Sequence, residues 1–117
     1  MKRMQVAAPL AGLVAAMLGA AEAAAADAAR GKDIYVKVGC YACHGYDAQG
    51  ASTGPKLAPD PMPAEALATY IRNSTPTLMP PYSEKVLGDA EVADIHAYLV
   101  TIKRPSSAKD IPLLSNP

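Results

Sequence analysis

Apolar residues recur every three or four positions in three segments of the chain, which is the period of a helix that buries one face. These segments are residues 28–38, 64–73 and 89–102. No other segment alternates apolar and polar residues convincingly, as a half-buried strand would. The pattern predicts an all-α protein with three to four short helices.

The sequence also marks where these helices begin and end. Gly39 can end the first helix, and Pro63 with Glu65 soon after it is typical of the start of the second. Asp89 is the expected N-cap of the third. The predicted apolar faces consist of Leu67, Tyr70 and Ile71 on the second helix, and of Val92, Ile95, Tyr98, Leu99 and Ile102 on the third.

Two segments rich in proline and small residues lie outside the helices. Residues 45–63 are predicted to form an irregular loop. Residues 103–117 hold three prolines and several small polar residues, so we expect a tail that is extended or mobile.

The first 26 residues are typical of a secretory signal peptide. Lys2 and Arg3 precede an alanine-rich apolar run over residues 6–21, and four alanines follow at residues 23–26. A membrane anchor is the alternative, but the run is short and is interrupted by one proline and two glycines. We therefore expect export to the periplasm and cleavage near Ala26, at the end of a signal peptide assigned to residues 1–26.

Removal of that segment would leave one small domain over residues 27–102, followed by the tail. About 90 residues are too few for two independently folded units. Of the eleven basic and eleven acidic residues in the chain, nine and ten lie after residue 26. This balance gives no indication of a basic surface for nucleic acid.

The composition lacks the residues that usually dominate the core of a small domain. The chain has no Phe and no Trp, and its aromatic residues are six tyrosines. Large apolar side chains normally supply much of the burial energy of a small fold. A flat, mostly apolar cofactor would fill the missing volume.

Both cysteines and one of the two histidines lie in a single motif, Cys40-Tyr41-Ala42-Cys43-His44. This is the C-x-x-C-H pattern of c-type haem attachment. Two intervening residues bring both sulfurs to one edge of a porphyrin, near its two vinyl groups, and the next residue places an imidazole under the iron. We expect one haem c, bound covalently through Cys40 and Cys43, with His44 as the proximal iron ligand.

Three other interpretations of the motif are weaker. A redox-active C-x-x-C pair requires a βαβ setting, which the pattern does not show. A Cys2His2 zinc site could use His96 as its fourth ligand, but adjacent Cys43 and His44 are poorly arranged for one tetrahedron. A structural disulfide would close only a tiny loop and would constrain the unfolded chain little.

The residue on the distal face of the iron decides between electron transfer and chemistry at the iron. The candidates are Met62, Met79 and His96. Met79 precedes two prolines in a rigid turn that can hold a thioether sulfur in place. Met62 follows the motif too closely to cross the haem edge easily, and His96 is more typical of a surface or boundary histidine. We predict Met79 as the distal ligand, with ordinary core packing as the alternative for either methionine.

Over residues 28–102 the chain resembles a known family, the class I mono-haem cytochromes c. Beyond the haem motif, the matching stretches are Gly31-Lys32-Asp33-Ile34-Tyr35, Gly54-Pro55-Lys56-Leu57, Met79-Pro80-Pro81-Tyr82 and Ile95-His96-Ala97-Tyr98-Leu99. The resemblance implies the class I cytochrome c fold, in which short helices wrap around one covalently attached haem. It also implies that Gly31 and Tyr35 of the first helix lie against the last one.

The resemblance assigns two further residues to the haem site. The Pro55 carbonyl would accept a hydrogen bond from the other ring nitrogen of His44, and would thereby fix the tautomer and orientation of that ligand. Leu57 would pack on the haem.

The chain also departs from the family pattern. Many members use a tryptophan to hydrogen-bond a haem propionate, and this chain has none, so its candidates for that task are Tyr70, Arg72 and Asn73. Only 35 positions separate His44 from Met79, which makes the distal loop compact. In this respect the chain looks like the small cytochrome subunits or partners of periplasmic dehydrogenases that use flavin, molybdenum or quinone cofactors.

The expected ligation indicates the function. With His44 and Met79 on its two axial positions, the iron has no open position for a substrate and can only cycle between Fe(II) and Fe(III). We expect an electron carrier and not an enzyme, which connects a dehydrogenase or membrane complex to an oxidase or another cytochrome. A tightly bound cytochrome subunit of a dehydrogenase is the alternative, and a gas-binding or peroxidase-like haem protein is a third hypothesis.

Overall fold

The computed structural model describes residues 24–115, so most of the expected signal peptide lies outside the described residues. The described part of the chain forms five α-helices and a short 3-10 helix, and its β-type pairing is an isolated bridge between Ala51 and Gly54. In chain order the helices are α1 (Ala28–Lys37), α2 (Tyr41–His44), α3 (Ala64–Asn73), α4 (Asp89–Thr101), the 3-10 helix (Ala108–Asp110) and α5 (Pro112–Ser115). The all-α prediction is confirmed, and the bounds of α1, α3 and α4 agree with it to within one residue. The predicted number of three to four helices was too low, because α2 and α5 are four-residue helices that no apolar periodicity marks.

Helix α1 is capped at its start, and the chain turns sharply after its last residue. The carboxylate of Asp27 accepts hydrogen bonds from two backbone N–H groups of the first turn, at 2.8 and 3.0 Å. After the helix, Gly39 has a φ of +86°, a left-handed conformation that glycine adopts at little cost. The turn lets the Cys40 N–H donate to the Tyr35 carbonyl at 3.1 Å, and it delivers the motif directly after α1.

Helices α1 and α4 cross in direct contact at Gly31. A Cβ atom on Gly31 would lie 1.9 Å from the carbonyl oxygen of Asp94, so only glycine permits this approach. Further along the crossing, the rings of Tyr35 and Tyr98 meet edge to face with their centroids 5.6 Å apart. The contact between the first and last helices that the resemblance implied is therefore confirmed.

The start of α4 differs from the prediction, because Asp89 is its first helical residue and Gly88 is its N-cap. The Glu91 carboxylate accepts a hydrogen bond from the Gly88 N–H at 2.8 Å. The Asp89 carboxylate instead pairs with Arg72 of α3 at 2.8 Å. The N-cap prediction was wrong because Glu91 reaches back to the backbone, which leaves Asp89 free to join two helices.

The core is built mainly from α1, α3 and α4. Its buried apolar residues are Ile34, Tyr35, Ala48, Ala58, Leu67, Ile71, Leu87, Val92, Ile95, Tyr98 and Leu99. The predicted faces of α3 and α4 are confirmed except at Tyr70, which is 53% exposed, and at Ile102, which is only partly buried. Asp94 is fully buried although it is charged, which the apolar pattern did not predict.

The tail after α4 is more structured than an extended segment. The 3-10 helix and α5 occupy most of residues 108–115, and Arg104 pairs with the exposed Asp60 at 2.9 Å. Its side chains nevertheless stay largely on the surface, with Leu113 at 92% exposure. Within the described range, no helix has both the length and the apolar character needed to cross a membrane.

Candidate cofactor site

A cavity of about 540 Å³ lies between the motif helix α2, helices α3 and α4, and the two loops that connect them. Most of its wall is apolar, with contributions from Leu67, Ile71, Leu87, Val92, Ile95 and Leu99. The six residues that sequence analysis assigned to the haem site also line it, namely Cys40, Cys43, His44, Pro55, Leu57 and Met79. The structure thus brings all six to one cavity, while their individual roles stay predictions.

The two cysteines stand at one wall of this cavity, at the start and within α2. Both are half-buried, and they are not joined to each other by a disulfide. Burial raises the pKa of the Cys40 thiol to about 11, because the apolar surroundings disfavour a thiolate. Zinc ligation and thiol–disulfide chemistry both require thiolates. An apolar wall of this kind is compatible with a neutral sulfur such as a thioether.

The His44 ring is held in a defined orientation. Its Nδ1 lies 2.7 Å from the carbonyl oxygen of Pro55, and the residue is buried at 7% exposure. Since a carbonyl can only accept, Nδ1 carries the proton and Nε2 keeps the lone pair that a metal ligand needs. The hydrogen bond that the resemblance implied is therefore present.

Gly54, which belonged to a matching stretch but had no predicted role, makes this arrangement possible. A Cβ atom on Gly54 would lie 2.7 Å from the Cys43 carbonyl oxygen and 3.0 Å from Nδ1 of His44. Real Cβ atoms almost never approach this closely, so the loop can lie against α2 only with glycine at this position. The signal that could have found it is its place immediately before Pro55.

The loop after α2 is fastened to the motif by further hydrogen bonds. The Gly50 N–H donates to the His44 carbonyl at 2.8 Å, and the Thr53 hydroxyl donates to the Cys43 carbonyl at 3.3 Å. The buried Tyr35 hydroxyl donates to the Gly45 carbonyl at 2.8 Å. These bonds satisfy the carbonyl groups at the end of α2, and they connect α1 to the loop that carries Pro55.

The Met79 segment, residues 75–82, forms part of the cavity wall and is anchored at both ends. Its own N–H donates to the Thr75 carbonyl at 2.9 Å. Beyond the two prolines, the Tyr82 N–H donates to Ile71 of α3 and the Tyr82 hydroxyl donates to the carbonyl of Val38, both at 2.9 Å. The rigid turn predicted around Met79 is therefore tied to α3 and to the end of α1.

The structure narrows the candidates for the distal ligand. Met79 is half-buried and packs against the core, whereas Met62 also lines the cavity but is 40% exposed. His96 is partly buried on α4 and is not part of the cavity wall. Two thioethers are therefore available at the cavity, and Met79 is the better buried of the two.

The three candidates for contact with a haem propionate differ in their position at the cavity and in the hydrogen bonds that they already make. Tyr70 lines the cavity, but Arg72 is engaged by the Tyr82 carbonyl at 3.0 Å and by Asp89. Asn73 donates to a carbonyl of its own helix at 2.8 Å. Lys56, which sequence analysis did not name for this task, also lines the cavity.

The donor set fits a haem better than it fits a bare metal ion. Among the described residues, no group of three or more His, Cys, Asp or Glu side chains is placed to hold a metal. Two adjacent thiols, one imidazole with a fixed tautomer, a thioether and an apolar wall are the groups that a covalently attached porphyrin requires. The zinc interpretation, which needed His96 beside the motif, has no support in this geometry.

Comparison with known proteins agrees with the geometry. A family model described as cytochrome C oxidase, cbb3-type, subunit III matches residues 26–99. No curated protein and no solved structure matches the chain. The matched range begins beside the N-cap of α1 and ends within α4, so it contains the motif, the Pro55 loop and the Met79 segment.

Proposed function

This chain belongs to the family matched over residues 26–99 and is a class I mono-haem c-type cytochrome with one covalently bound haem c, and from that premise we propose that it works as a periplasmic one-electron carrier. In this proposal His44 and Met79 would be the two residues that hold the haem iron. The haem supplies a reversible Fe(II)/Fe(III) couple. The observation that carries the proposal is the meeting of both residues at one apolar cavity, with Nδ1 of His44 fixed by Pro55 at 2.7 Å.

His44 and Pro55 define the proximal side. The Pro55 carbonyl orients the ring and accepts a hydrogen bond from the proton on Nδ1, so that the lone pair of Nε2 would be available to the iron. Burial of the ring keeps water from competing for that nitrogen. A carrier benefits from such a rigid ligand, because little has to reorganise when the charge of the iron changes.

Met79 and the apolar wall define the distal side. A thioether ligand and burial in apolar surroundings both favour the reduced state, so we expect a higher potential than two imidazoles would give. The hydrogen bonds of Thr75 and Tyr82 hold the segment closed, and this opposes replacement of Met79 by a substrate or a gas.

Electron transfer requires a surface at which partners can dock briefly. Leu78 is 81% exposed, and it lines the cavity together with Tyr70 and Met62, which are also substantially exposed. The near balance of acidic and basic residues favours contact through this apolar rim over strong electrostatic steering. Small contact areas suit transient redox encounters. The donor that we propose is a dehydrogenase or a membrane complex, and the acceptor is an oxidase or another cytochrome.

The first test uses the intact holoprotein. We expect a reversible one-electron redox titration and no rapid carbon monoxide binding by the reduced protein. Rapid carbon monoxide binding would contradict closed ligation and would favour the gas-binding or peroxidase-like alternative. Fractionation of the native cells should place the haem-containing protein in the periplasm, and a cytoplasmic holoprotein would contradict export.

One observation favours a second candidate, a tightly held cytochrome subunit of a flavin, molybdenum or quinone dehydrogenase. Leu113 and Leu114 of the tail are 92% and 66% exposed, which is unusual for two adjacent leucines and suits a strap that docks on a larger protein. Mild purification from the native source separates the candidates. A dehydrogenase that co-purifies with the full chain, and is lost when residues 106–117 are deleted, would favour the subunit.

A further inference from the structure

Asp94 is a buried carboxylate whose partners both come from the very start of α1. Its side chain is 1% exposed, and Oδ2 accepts a hydrogen bond from Nε of Arg30 at 2.5 Å. Oδ1 accepts a hydrogen bond from the backbone nitrogen of Asp27 at 2.7 Å. A buried charge is costly unless it is paired and hydrogen-bonded, so these two contacts decide whether α4 can keep Asp94 inside.

Asp27 stands at the boundary between the folded domain and the segment expected to be removed. Its carboxylate caps α1, so it belongs to the fold. Residues 24–26 are exposed and lie outside any helix. The peptide nitrogen that contacts Asp94 is therefore the last backbone group of the domain before an exposed, non-helical stretch.

The sequence alone does not select the bond that is cut in this stretch. Cleavage requires small residues at the first and third positions before the bond, and this stretch satisfies the rule after residues 21, 23, 25, 26 and 28. Cleavage after residue 28 would remove the N-cap of α1. Cleavage after residue 21, 23 or 25 would leave the nitrogen of Asp27 as an ordinary peptide N–H.

We propose that export cuts the bond between Ala26 and Asp27, and that the α-ammonium group released there forms an ion pair with Asp94. The inference rests on the proposed export, and it names the bond and its consequence for the fold. The oxygen of one water molecule adds to the Ala26 carbonyl carbon, and the carbon–nitrogen bond breaks. Ala26 leaves as a carboxylate, and the nitrogen of Asp27 gains the two protons and becomes the ammonium group.

This step strengthens a contact that the fold already makes. A peptide N–H offers one neutral hydrogen bond, whereas an α-amino group has a pKa of about 7.7–8.0 and is mainly charged at neutral pH. A charge-assisted hydrogen bond to a carboxylate is roughly twice as strong as a neutral one. The new charge would add to that of Arg30 in neutralising Asp94.

Other charges near this nitrogen act in both directions. The ammonium group would lie at the N-terminus of α1, where the helix dipole disfavours a positive charge. The positive charge of Arg30 would also repel it. The carboxylates of Asp27 and Asp94 attract it, and Glu91 of α4 adds a third acidic group near Arg30. Because Asp94 is buried and in direct contact, its attraction dominates.

The first experiment determines the N-terminus of the exported holoprotein by intact mass and N-terminal sequencing. We expect the chain to begin at Asp27. A haem-containing, exported chain that begins at any other residue would overturn the inference and leave the proposed electron transfer intact. An uncut chain would overturn both the inference and the proposed export.

The second experiment compares two holoprotein forms that begin at Asp27 and at Ala25. We expect the Asp27 form to have a Tm about 5 °C higher, because only it carries the ammonium group at this nitrogen. The difference should vanish in Asp94→Asn and persist in Asp33→Asn, which removes an equal charge from an exposed position of α1. Equal Tm values for the two forms would overturn the inference.

A third measurement covers the case in which Asp94→Asn does not fold. An ion pair with Asp94 raises the pKa of the α-amino group, so its acylation at neutral pH should be about tenfold slower in the Asp27 form than in the Ala25 form. Equal acylation rates would contradict the ion pair.

Discussion

The two sides of the core are held together by different means. On one side α1 and α4 touch directly, through the close approach at Gly31 and the edge-to-face pair of Tyr35 and Tyr98. On the other side, α2, α3, one face of α4 and the Met79 segment surround a cavity of about 540 Å³. At the helix crossing, the side chains and backbone of the polypeptide fill the space by themselves. The side chains that line the cavity need a large apolar group to pack against. The helix crossing therefore depends on the chain, and the cavity side depends on the cofactor.

The largest effect is expected when covalent attachment is abolished. In the double variant Cys40→Ser/Cys43→Ser, the cavity side loses the group that fills it, and the chain has no Phe or Trp to compensate. We expect the mature chain to lack a cooperative thermal transition by circular dichroism, while the wild-type holoprotein unfolds sharply. A sharp transition in the haem-free variant would show that the helix crossing can fold alone.

The distal ligand is the next test, and it should affect the cavity side only. We expect Met79→Ala to lose the near-infrared sulfur-to-iron charge-transfer band of the ferric protein and to lower the potential. Met62→Ala removes the other thioether at the cavity and is the matched control, so its band should persist. The opposite pattern, with the band lost only in Met62→Ala, would reassign the distal ligand.

On the other side, the close approach of α1 to α4 can be broken by a single methyl group. Gly31→Ala would place a Cβ atom 1.9 Å from the Asp94 carbonyl oxygen, so the helices must move apart. We expect the free energy of unfolding to fall by about 3 kcal/mol in denaturant titrations of the holoprotein. In the control Gly88→Ala the nearest atom is 3.7 Å away, and the loss should be about 1 kcal/mol or less. Equal losses in both variants would mean that the crossing tolerates separation.

The helix crossing and the cavity side each contain a tyrosine hydroxyl that donates to a backbone carbonyl, so the same substitution can be made on both sides. Tyr98 donates to the Tyr46 carbonyl beside the helix crossing, and Tyr82 donates to the Val38 carbonyl at the cavity, both at 2.9 Å. Each Tyr→Phe change should cost about 1 kcal/mol of stability. Only Tyr82→Phe should also weaken the Met79 charge-transfer band, because Tyr82 ends the Met79 segment. A weakened band in Tyr98→Phe would mean that the two sides are coupled more tightly than their contacts indicate.

The smallest effect concerns acid stability at the crossing. The Arg30 hydrogen bond holds the pKa of Asp94 below its usual range of about 3.9. The resulting stability is fully present above that value and is lost as the pH falls through the lower folded-state pKa. In denaturant midpoints measured against pH, Arg30→Gln should therefore reduce the loss seen below about pH 4.

The matched control for this prediction is Arg104→Gln. Its partner Asp60 is exposed, so the pair contributes little and the acid profile should stay unchanged. Identical profiles for the wild type and Arg30→Gln would show that Asp94 does not govern acid stability.

Sequence reasoning was most reliable where spacing along the chain carries the information. The periodicity of apolar residues predicted α1, α3 and α4 to within one residue, since one face of each helix packs against the core. It was least reliable where contacts between distant residues decide the outcome. The prediction of Asp89 as the N-cap of α4 was wrong because Glu91 caps the helix. Tyr70 was predicted on the buried face of α3, but it is exposed at the rim of the cavity.

The sequence by itself determined the chemistry of this protein, because the spacing of Cys40, Cys43 and His44 is local and needs no fold to be recognised. Only the tertiary structure decided how that chemistry is supported. It brought Pro55 to the His44 ring, reduced the candidates for the distal ligand to two methionines at one cavity, and buried Asp94 against the first turn of α1. These contacts join residues that lie between 11 and 67 positions apart in the sequence. They result from tertiary packing, which no local sequence pattern encodes.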